Sequence, residues 1–353
     1  MYTLGRKLRF SLFGRSHARC VGCILEGVPA GFPIDVGAVG EEMALRRPRP
    51  GIGTGRAEAD GVEFVEGVVD GRAVGTPIIM EIANGDADGS GYLAFSRTPR
   101  PGHADLPALV KYGGFDIAGG GQFSGRLTAP IVAAGGIAKQ MLAREGVRVA
   151  AFCRSVGGVE DRGERGLEDA MASRAYPTRA CTAELDREFS DCISSAGEDG
   201  DSVGGVVECV IGGLPIGFGG IWFESLDAEL AAAMFGIPAC KGVEFGRGFA
   251  LAGMRGSQSN DAYRFEGGRV VTETNNMGGI LGGMADGAPV VFRTAFKPTP
   301  SIAKRQRTVD LDSLGDADVG VGGRHDPCVA PRAAAVAEAA AALVVADQME
   351  RGF

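Results

Sequence analysis

The sequence predicts a layered domain that mixes α-helices and β-strands, and three observations support this prediction. Apolar residues make up 45% and charged residues 23% of the 353 residues, which is typical of a globular protein. Helical segments and short β-branched strands are interspersed along the chain. The regular strand–helix–strand spacing of a doubly wound sheet is missing. Because no linker, low-complexity segment or internal repeat divides the chain, we expect residues 1–353 to form a single α+β domain. Two half-domains that share one core are the alternative.

The individual elements are predicted from capping residues and from short apolar runs. The predicted helices run from a cap at Asp35 to a stop at Pro48, from Pro130 to Glu145, from a cap at Ser225 to Phe235, and over residues 332–349. The predicted strands cover residues 20–28, 62–69, 203–211 and 288–294.

The composition limits the classes of function. Glycine accounts for 58 of 353 residues, which is about twice the usual share and implies many tight bends or close backbone approaches. The net charge of −8 argues against general nucleic-acid binding. Small anionic ligands need only local positive charge, although solvated surface charge is the alternative for any one basic cluster. These clusters are Arg46, Arg47 and Arg49; Arg97 and Arg100; and Lys304, Arg305 and Arg307.

The cysteines and the apolar pattern favour a cytoplasmic protein. Eight cysteines are scattered along the chain, and Cys20 and Cys23 form its single CxxC pair. Because no second pair follows at zinc-site spacing, we expect reduced thiols and no metal site. The first residues lack the apolar core of a signal peptide, and no run of 18 apolar residues occurs, so we expect neither secretion nor a membrane span.

The three histidines are candidates for acid–base chemistry. His17 lies in FGRSHARCVG, His103 in RPGHAD and His325 in GRHDPC. Imidazole titrates near neutral pH, and small or rigid neighbours permit a close approach of a ligand. A structural or surface histidine is the alternative at each position.

Asp326 belongs to a polar cluster with Arg324 and Arg332 just before the last predicted helix. A carboxylate beside arginines stays ionised and can act as a base. A role as the cap of that helix is an alternative that is compatible with the first.

Three segments are candidates for phosphate binding. Two of them, residues 113–126 and 278–283, are rich in glycine, and such backbone can surround a phosphate with N–H groups. Neither segment matches the Walker or dinucleotide fingerprint. The third, residues 297–301 (KPTPS), combines a cation with hydroxyls on a stiff backbone, and a plain Pro-rich turn is its alternative.

Together and in this order, these motifs resemble the chorismate synthase family, from about Gly5 to the C-terminal helix. The matching blocks are FGRSH at 13–17, RPGHAD at 100–105, KYG at 111–113, GGG at 119–121, KGVEFG at 241–246, RGSQ at 255–258, GGILGG at 278–283, KPT at 297–299 and GRHDPC at 323–328. The resemblance implies a β-α-β sandwich, a homotetramer and a 1,4-trans elimination of phosphate from 5-enolpyruvylshikimate 3-phosphate that gives chorismate. It also implies a need for reduced FMN, which is not consumed, with NADPH as a candidate reductant.

The resemblance also implies roles for individual residues. His17 would protonate the departing phosphate, His103 would protonate the reduced flavin and Asp326 would assist removal of the ring proton, while Ser16 and Ser124 would relay protons or hold ligands. The implied cofactor contacts are Gln122, Phe123, Ser124, Ala239, Gly282, Lys297, Pro298, Thr299, Pro300, Ser301 and Arg324. The implied substrate contacts are Arg46, Arg47, Arg49, Arg126 and Arg332.

The chain departs from the family pattern at several positions. Arg15 replaces a glutamate, and we hypothesise that it restores positive charge from a different direction. The other departures are Ala18 for glycine, Pro48 and Ile131 for arginines, Gln122 and Phe123 within the RSSAR block, and Pro238 for asparagine. These changes leave two alternatives to an active synthase. One is an inactive flavin-binding paralogue, and the other is a flavin reductase, although the sequence has no nicotinamide fingerprint.

Overall fold

The structure, a computed structural model, describes residues 2–49, 52–53, 60–85, 90–323 and 325–353. Its α-helices are α1 (Val36–Arg46), α2 (Asp105–Tyr112), α3 (Thr128–Arg144), α4 (Leu167–Ala172), α5 (Ala183–Glu198), α6 (Leu226–Phe235), α7 (Gly256–Ser259) and α8 (Ala330–Glu350). Its strands are β1 (Tyr2–Leu4), β2 (Arg9–Gly14), β3 (Cys20–Glu26), β4 (Val62–Glu66), β5 (Val68–Val69), β6 (Arg72–Ala73), β7 (Ile78–Ala83), β8 (Arg148–Val156), β9 (Val159–Glu160), β10 (Gly205–Gly212), β11 (Cys240–Phe245), β12 (Tyr263–Glu266), β13 (Arg269–Thr272), β14 (Ile280–Leu281), β15 (Met284–Ala285), β16 (Val290–Phe296), β17 (Gln306–Asp310) and β18 (Gly315–Val319). Short 3-10 helices cover Ser90–Ser96, Ala118–Phe123, Gly125–Leu127, Ser173–Ala175, Trp222–Glu224 and Gly248–Gly253.

Two antiparallel five-stranded sheets form the outer layers of a sandwich. The first has the strand order β1-β2-β3-β7-β4 and the second the order β11-β16-β10-β8-β9. The remaining strands pair in two-stranded hairpins, of which β17–β18 and β14–β15 lie beside the candidate site residues in sequence.

Helices α1, α3 and α8 fill the layer between the sheets. Helix α3 packs on β3 and β7, α8 packs on β8 and β10, and α3 and α8 pack against each other. Their backbones approach closely because Gly135 faces Ala339, so that a Cβ added at Gly135 would lie 2.6 Å from the Cα of Ala339. One apolar core therefore extends from the first sheet through the helices to the second.

This architecture confirms the predicted α+β class and the β-α-β sandwich. The two sheets share one core, which agrees both with a single domain and with two half-domains that share a core. The extent of the domain, residues 1–353, stays a prediction that the shared core supports.

The four predicted helices are confirmed as α1, α3, α6 and α8, with ends that differ by one or two residues. The carboxylate of Asp35 accepts the N–H of Ala38, and the hydroxyl of Ser225 accepts that of Ala228, as their capping roles require. Three predicted strands correspond to β3, β10 and β16.

The strand predicted over 62–69 is wrong in one respect, because Gly67 breaks it into β4 and β5. Gly67 has a φ of +87°, and a Cβ there would lie 2.5 Å from the carbonyl oxygen of Pro77.

A buried carboxylate lies at the centre of the helical layer. Glu338 of α8 has no solvent exposure and forms ion pairs with Lys139 of α3, Arg174 and Arg179. Burial alone would raise the pKa of Glu338, but the three cations outweigh this effect and lower it to about 2. The carboxylate is therefore ionised, and it joins α8 to its neighbours.

Within the described ranges, no helix combines the length and the apolar character needed to cross a membrane.

Candidate active site

Three arginines from three separate elements converge at one end of the helical layer. Arg46 ends α1, Arg126 lies in the turn before α3 and Arg332 lies in the first turn of α8. The carboxylate of Asp60 binds both Arg46, at 2.7 Å, and Arg126. Arg332 donates from Nε to the carbonyl oxygen of Arg46 at 2.9 Å and pairs with Asp326.

Burial shifts the pKa values of the charged groups in this cluster. The side chains of Arg46 and Asp60 are 3% and 2% exposed. Burial, reinforced by the charges of Arg332 and Arg126, lowers the pKa of Arg46 to about 10, although Asp60 opposes the shift. Burial alone would raise the pKa of Asp60, but Arg46 and Arg126 hold it below its usual value. Because α3 and α8 both begin here, their N-terminal N–H groups add to the positive potential.

The other two predicted substrate arginines lie beside this cluster. Arg47 and Arg49 line a small crevice together with Pro331 and Arg332. The predicted arginine set is thus brought together, and a multiply charged anion is the ligand that such a set recognises.

His17 and Ser16 lie on the loop between β2 and β3, against a run of glycines. The Ser16 N–H donates to the carbonyl oxygen of Gly121 at 3.3 Å. A Cβ at Gly119 would overlap the imidazole of His17 and lie 2.6 Å from the hydroxyl of Ser16. Gly119 has a φ of +59°, which favours glycine. The glycine-rich segment therefore permits a close approach to His17, and its role in phosphate binding stays a prediction.

Asn84 connects the histidine loop to the arginine cluster. Its side-chain N–H groups donate to the carbonyl oxygens of Arg15 and Ala18, at 3.0 and 2.7 Å, and its oxygen accepts Nε of Arg126 at 3.0 Å. The hydroxyl of Ser124 accepts the backbone N–H of Arg126 at 3.3 Å. His17 and the arginines are thus parts of one site.

His103 forms a second polar centre with the 297–301 segment. Its Nε2 atom lies 2.7 Å from the hydroxyl of Ser301. Burial lowers the pKa of His103 to about 3, and Arg100, Lys297 and His325 act in the same direction against Asp105. Burial also lowers the pKa of Lys297. The His103 ring is therefore neutral at physiological pH.

The remaining predicted cofactor contacts are distributed unevenly. Ala239 joins the 297–301 segment, because its carbonyl oxygen accepts the N–H of Lys297 at 3.0 Å. Gly282 lies in the turn of the β14–β15 hairpin next to the start of α6, whereas Ala239 follows the end of this helix. The two residues therefore lie at opposite ends of a helix about 15 Å long. Phe123 is 40% exposed and meets Phe115 edge to face.

Gln122 is half-buried in the same short helix as Phe123, and Pro298 and Pro300 flank Thr299. Arg324 lies outside the described residues. The grouping of these residues around a cofactor stays a prediction.

One sequence-based interpretation changes. Asp326 does not cap α8, since no side chain caps that helix at Val329, and it binds Arg332 instead. The Nη1 atom of Arg15 lies 3.4 Å from Oδ2 of Asp116, and the compensating role of Arg15 stays a hypothesis.

Sequence reasoning also missed Asp60 and Asn84. Asp60 precedes β4 and Asn84 follows β7, and neither residue belongs to a recognisable motif. Only the long-range packing identifies them.

A two-sheet sandwich that places clustered arginines near a histidine has the arrangement of an enzyme for a small, multiply charged anion. The family model described as chorismate synthase matches residues 8–349. A chorismate synthase of Aeropyrum pernix is 49% identical over 348 residues, which cover 98% of this chain and 92% of that protein. One of Thermococcus kodakarensis is 45% identical over 350 residues, covering 98% and 97%. A crystal structure of chorismate synthase superposes with a TM-score of 0.78 at 29% identity, covering 99% and 93%.

The chain belongs to the chorismate synthase family. It is accordingly a lyase that eliminates phosphate from 5-enolpyruvylshikimate 3-phosphate in the biosynthesis of aromatic amino acids. The comparisons support this activity and neither the inactive paralogue nor the flavin reductase.

Proposed function

We propose that the arginine cluster is the substrate site of this chorismate synthase and that reduced FMN binds beside it. The observation that carries the proposal is the convergence of Arg46, Arg126 and Arg332 with His17 and Asp326 where α3 and α8 begin. The substrate carries two carboxylates and a phosphate, and planar guanidinium groups bind such oxygens in pairs. Arg47 and Arg49 extend the positive surface at the crevice mouth.

The 297–301 segment has the donors that a flavin phosphate requires. The hydroxyl oxygen of Thr299 is buried and has no hydrogen-bond partner within the described part of the chain. Lys297 supplies a half-buried ammonium, and Ser301 a hydroxyl. These groups, with Ala239, would hold reduced FMN, while Gln122, Phe123, Gly282 and Arg324 are further candidate contacts. When bound, reduced FMN would supply a transient electron that helps to expel phosphate, and the flavin would recover this electron afterwards. NADPH is a candidate reductant of the flavin.

The protons are handled by the chain's own side chains. His17 donates a proton to the departing phosphate, which leaves with the electron pair of its C–O bond. Asp326 accepts the ring proton, and the electrons of that C–H bond enter the second ring double bond of chorismate. His103 would interact with the flavin and protonate it, and its neutral ring lies within hydrogen-bonding distance of Ser301. Ser16 and Ser124 border His17 and Arg126 and can relay protons.

An anaerobic assay tests this function. The protein is mixed with chemically reduced FMN and 5-enolpyruvylshikimate 3-phosphate, and chorismate absorbance and phosphate are followed together. We expect equal release of both products, a loss in His17→Ala and a strong reduction in Asp326→Ala. Arg9→Gln, which removes an exposed ion pair with Glu26, is the control. Absence of product despite flavin binding would contradict the assignment.

We also propose that the chain forms a homotetramer in the cytoplasm. The segment from Ile216 to Phe223 exposes large apolar side chains, with Trp222 82% and Phe223 91% exposed on the single chain. Patches of this kind mark protein interfaces. All eight cysteines are free thiols, as a reducing compartment requires, and the net charge of −8 favours a small-molecule partner over nucleic acid.

Light scattering tests the assembly. We expect four times the chain mass of 36.3 kDa and a smaller species for Phe223→Glu. Leu314→Glu, at an equally exposed hairpin turn, should leave the mass unchanged. A monomeric wild-type protein would contradict the proposal. Trp222 is the only tryptophan, so its emission reports burial directly.

A further inference from the structure

Arg100 is a buried arginine that none of the proposed chemical steps uses. It is 4% exposed, and its guanidinium binds Asp105 through two parallel bonds, Nε–Oδ2 at 2.7 Å and Nη2–Oδ1 at 2.8 Å. The backbone N–H of Arg100 donates to the same carboxylate at 3.0 Å. The side chain therefore has one fixed position.

The guanidinium of Arg100 also lies over two aromatic rings of the Ser90–Ser96 helix. Its central carbon lies 4.8 Å from the ring centre of Phe95 and 5.4 Å from that of Tyr92. Tyr92 in turn meets the imidazole of His17 edge to face, with ring centres 5.7 Å apart. Arg100 thus contacts the ring that packs on His17.

The same residue begins the turn that carries the second histidine. The carbonyl oxygen of Arg100 accepts the N–H of His103 at 3.4 Å. The charged groups that act on the His103 ring are Arg100, Asp105, Lys297 and His325, and Ser301 is its hydrogen-bond partner. Burial is the main reason that a protonated His103 ring is disfavoured, and among the charged groups Arg100 comes first, followed in the same direction by Lys297 and His325.

We propose that Arg100 is a positioning residue: its carbonyl oxygen holds the turn that carries His103, its fixed charge lies beside that turn, and its guanidinium holds the Tyr92 ring against His17. It couples the two histidines without touching a reactant. The inference rests on the proposed function only in taking these histidines as catalytic, since the contacts themselves do not depend on substrate.

NMR of the histidine ring protons distinguishes the effect of Arg100 on His103 from its effect on Tyr92 and His17. This measurement does not require catalytic turnover. The chain has three histidines, so their ring protons can be assigned by single replacements. Arg100→Gln removes the charge and the flat fork, Arg100→Lys keeps the charge and removes the fork, and Tyr92→Leu removes the ring alone. Arg154→Gln is the matched control. Arg154 is also buried, binds Glu208 by two bonds at 2.9 and 2.7 Å, and lies 5.2 Å from the Phe152 ring, but in the second sheet.

We expect Arg100→Gln to raise the titration midpoint of His103 by roughly 1 pH unit or more and to shift the His17 resonance. Arg100→Lys should shift the His17 resonance while the His103 midpoint stays near that of the wild type, and Tyr92→Leu should change only His17. Arg154→Gln should change neither. The acid limb of the kcat profile should move with the His103 midpoint in Arg100→Gln.

Two results would overturn the inference. One is a wild-type His103 that titrates near 6.5, and the other is a set of Arg100 variants that behave like Arg154→Gln. If Arg100→Gln does not fold, the wild-type titration and the comparison of Arg100→Lys with Tyr92→Leu still decide. Normal NMR effects in a protein without synthase activity would refute the proposed function and leave the coupling intact.

Discussion

The Nε atom of Arg332 donates to the backbone carbonyl oxygen of Arg46 at 2.9 Å. This bond joins the first turn of α8 to the end of α1, where the last carbonyl groups of a helix lack partners within it. The Nη1 atom of Arg332 pairs with Asp326, and the residue lines the crevice beside Arg47 and Arg49. The arginine is therefore held on one side and available to a ligand on the other.

Arg332→Lys should weaken substrate binding although it preserves the charge. Lysine cannot bind the Arg46 carbonyl and an anion at once with fixed geometry. We expect the KM for 5-enolpyruvylshikimate 3-phosphate to rise about 10- to 100-fold, which corresponds to about 1.4–2.8 kcal/mol. Steady-state kinetics under anaerobic conditions measure this change. An unaltered KM, equal to that of the exposed control Arg9→Lys, would refute the role.

Asp60→Asn should destabilise the protein by roughly 3–5 kcal/mol, because it leaves Arg46 and Arg126 buried without their counter-charge. Inorganic phosphate should restore more stability to this variant than to the wild type, since an anion can replace the lost carboxylate. Urea unfolding with and without phosphate measures both effects. The matched control is Glu208→Gln, which removes a carboxylate bound by Arg154 and Arg293 away from the site. Equal phosphate rescue in the two variants would contradict an anion site at Asp60.

His103 should make stability depend on pH between about 6.5 and 3. Its pKa is about 3 in the folded chain, against a usual value of 6.5, so the unfolded chain binds more protons in this window. The contribution of His103 to the free energy of unfolding is therefore fully present above pH 6.5. It decreases as the pH falls, by up to about 1.4 kcal/mol per pH unit. Urea unfolding at pH 7.5, 6 and 5 should show this slope in the wild type. A slope that persists unchanged in His103→Gln would show that other groups cause it.

Gly119→Ala should reduce activity far more than stability, because the added methyl group enters the space of the His17 ring. Gly120→Ala is a close control, since its φ is +84° and the nearest atom to a new Cβ, that of Ser124, is 3.9 Å away. Both variants bear the backbone strain of about 1–2 kcal/mol. We expect kcat to fall about 100-fold or more only in Gly119→Ala. Thermal unfolding should shift at least as much in Gly119→Ala as in Gly120→Ala, because His17 must also move. Similar kcat values would contradict a tight fit around His17.

The sequence predicts well what depends on neighbouring residues. Asp35 and Ser225 cap helices through bonds to residues three positions away, so a short window contains the whole cause. Gly67 shows the limit of such a window, because the atoms that a Cβ there would meet belong to Pro77 and Ile78, which lie outside it.

The candidate site depends on long-range packing instead. Asp60 lies 66 positions from Arg126, and the Arg46 carbonyl lies 286 positions from Arg332. No local pattern marks such pairs. The sequence itself shows the basic cluster of Arg46, Arg47 and Arg49, but a substrate role for the arginines was predicted only from the resemblance to a known family. Asp60, which binds Arg46 and Arg126, and Asn84, which binds Arg126, were not predicted at all.

The ion cluster of Glu338 also fixes how far along its axis α8 can lie. A slide of α8 by one helical turn would move the carboxylate about 5.4 Å from Lys139, Arg174 and Arg179 and leave buried charges unpaired. Glu338 follows Arg332 by six residues, or about 9 Å of helix. The register of α8 in the core therefore sets the position of Arg332 in the proposed substrate site, so a mutation in the middle of the sandwich can misplace a guanidinium at its end.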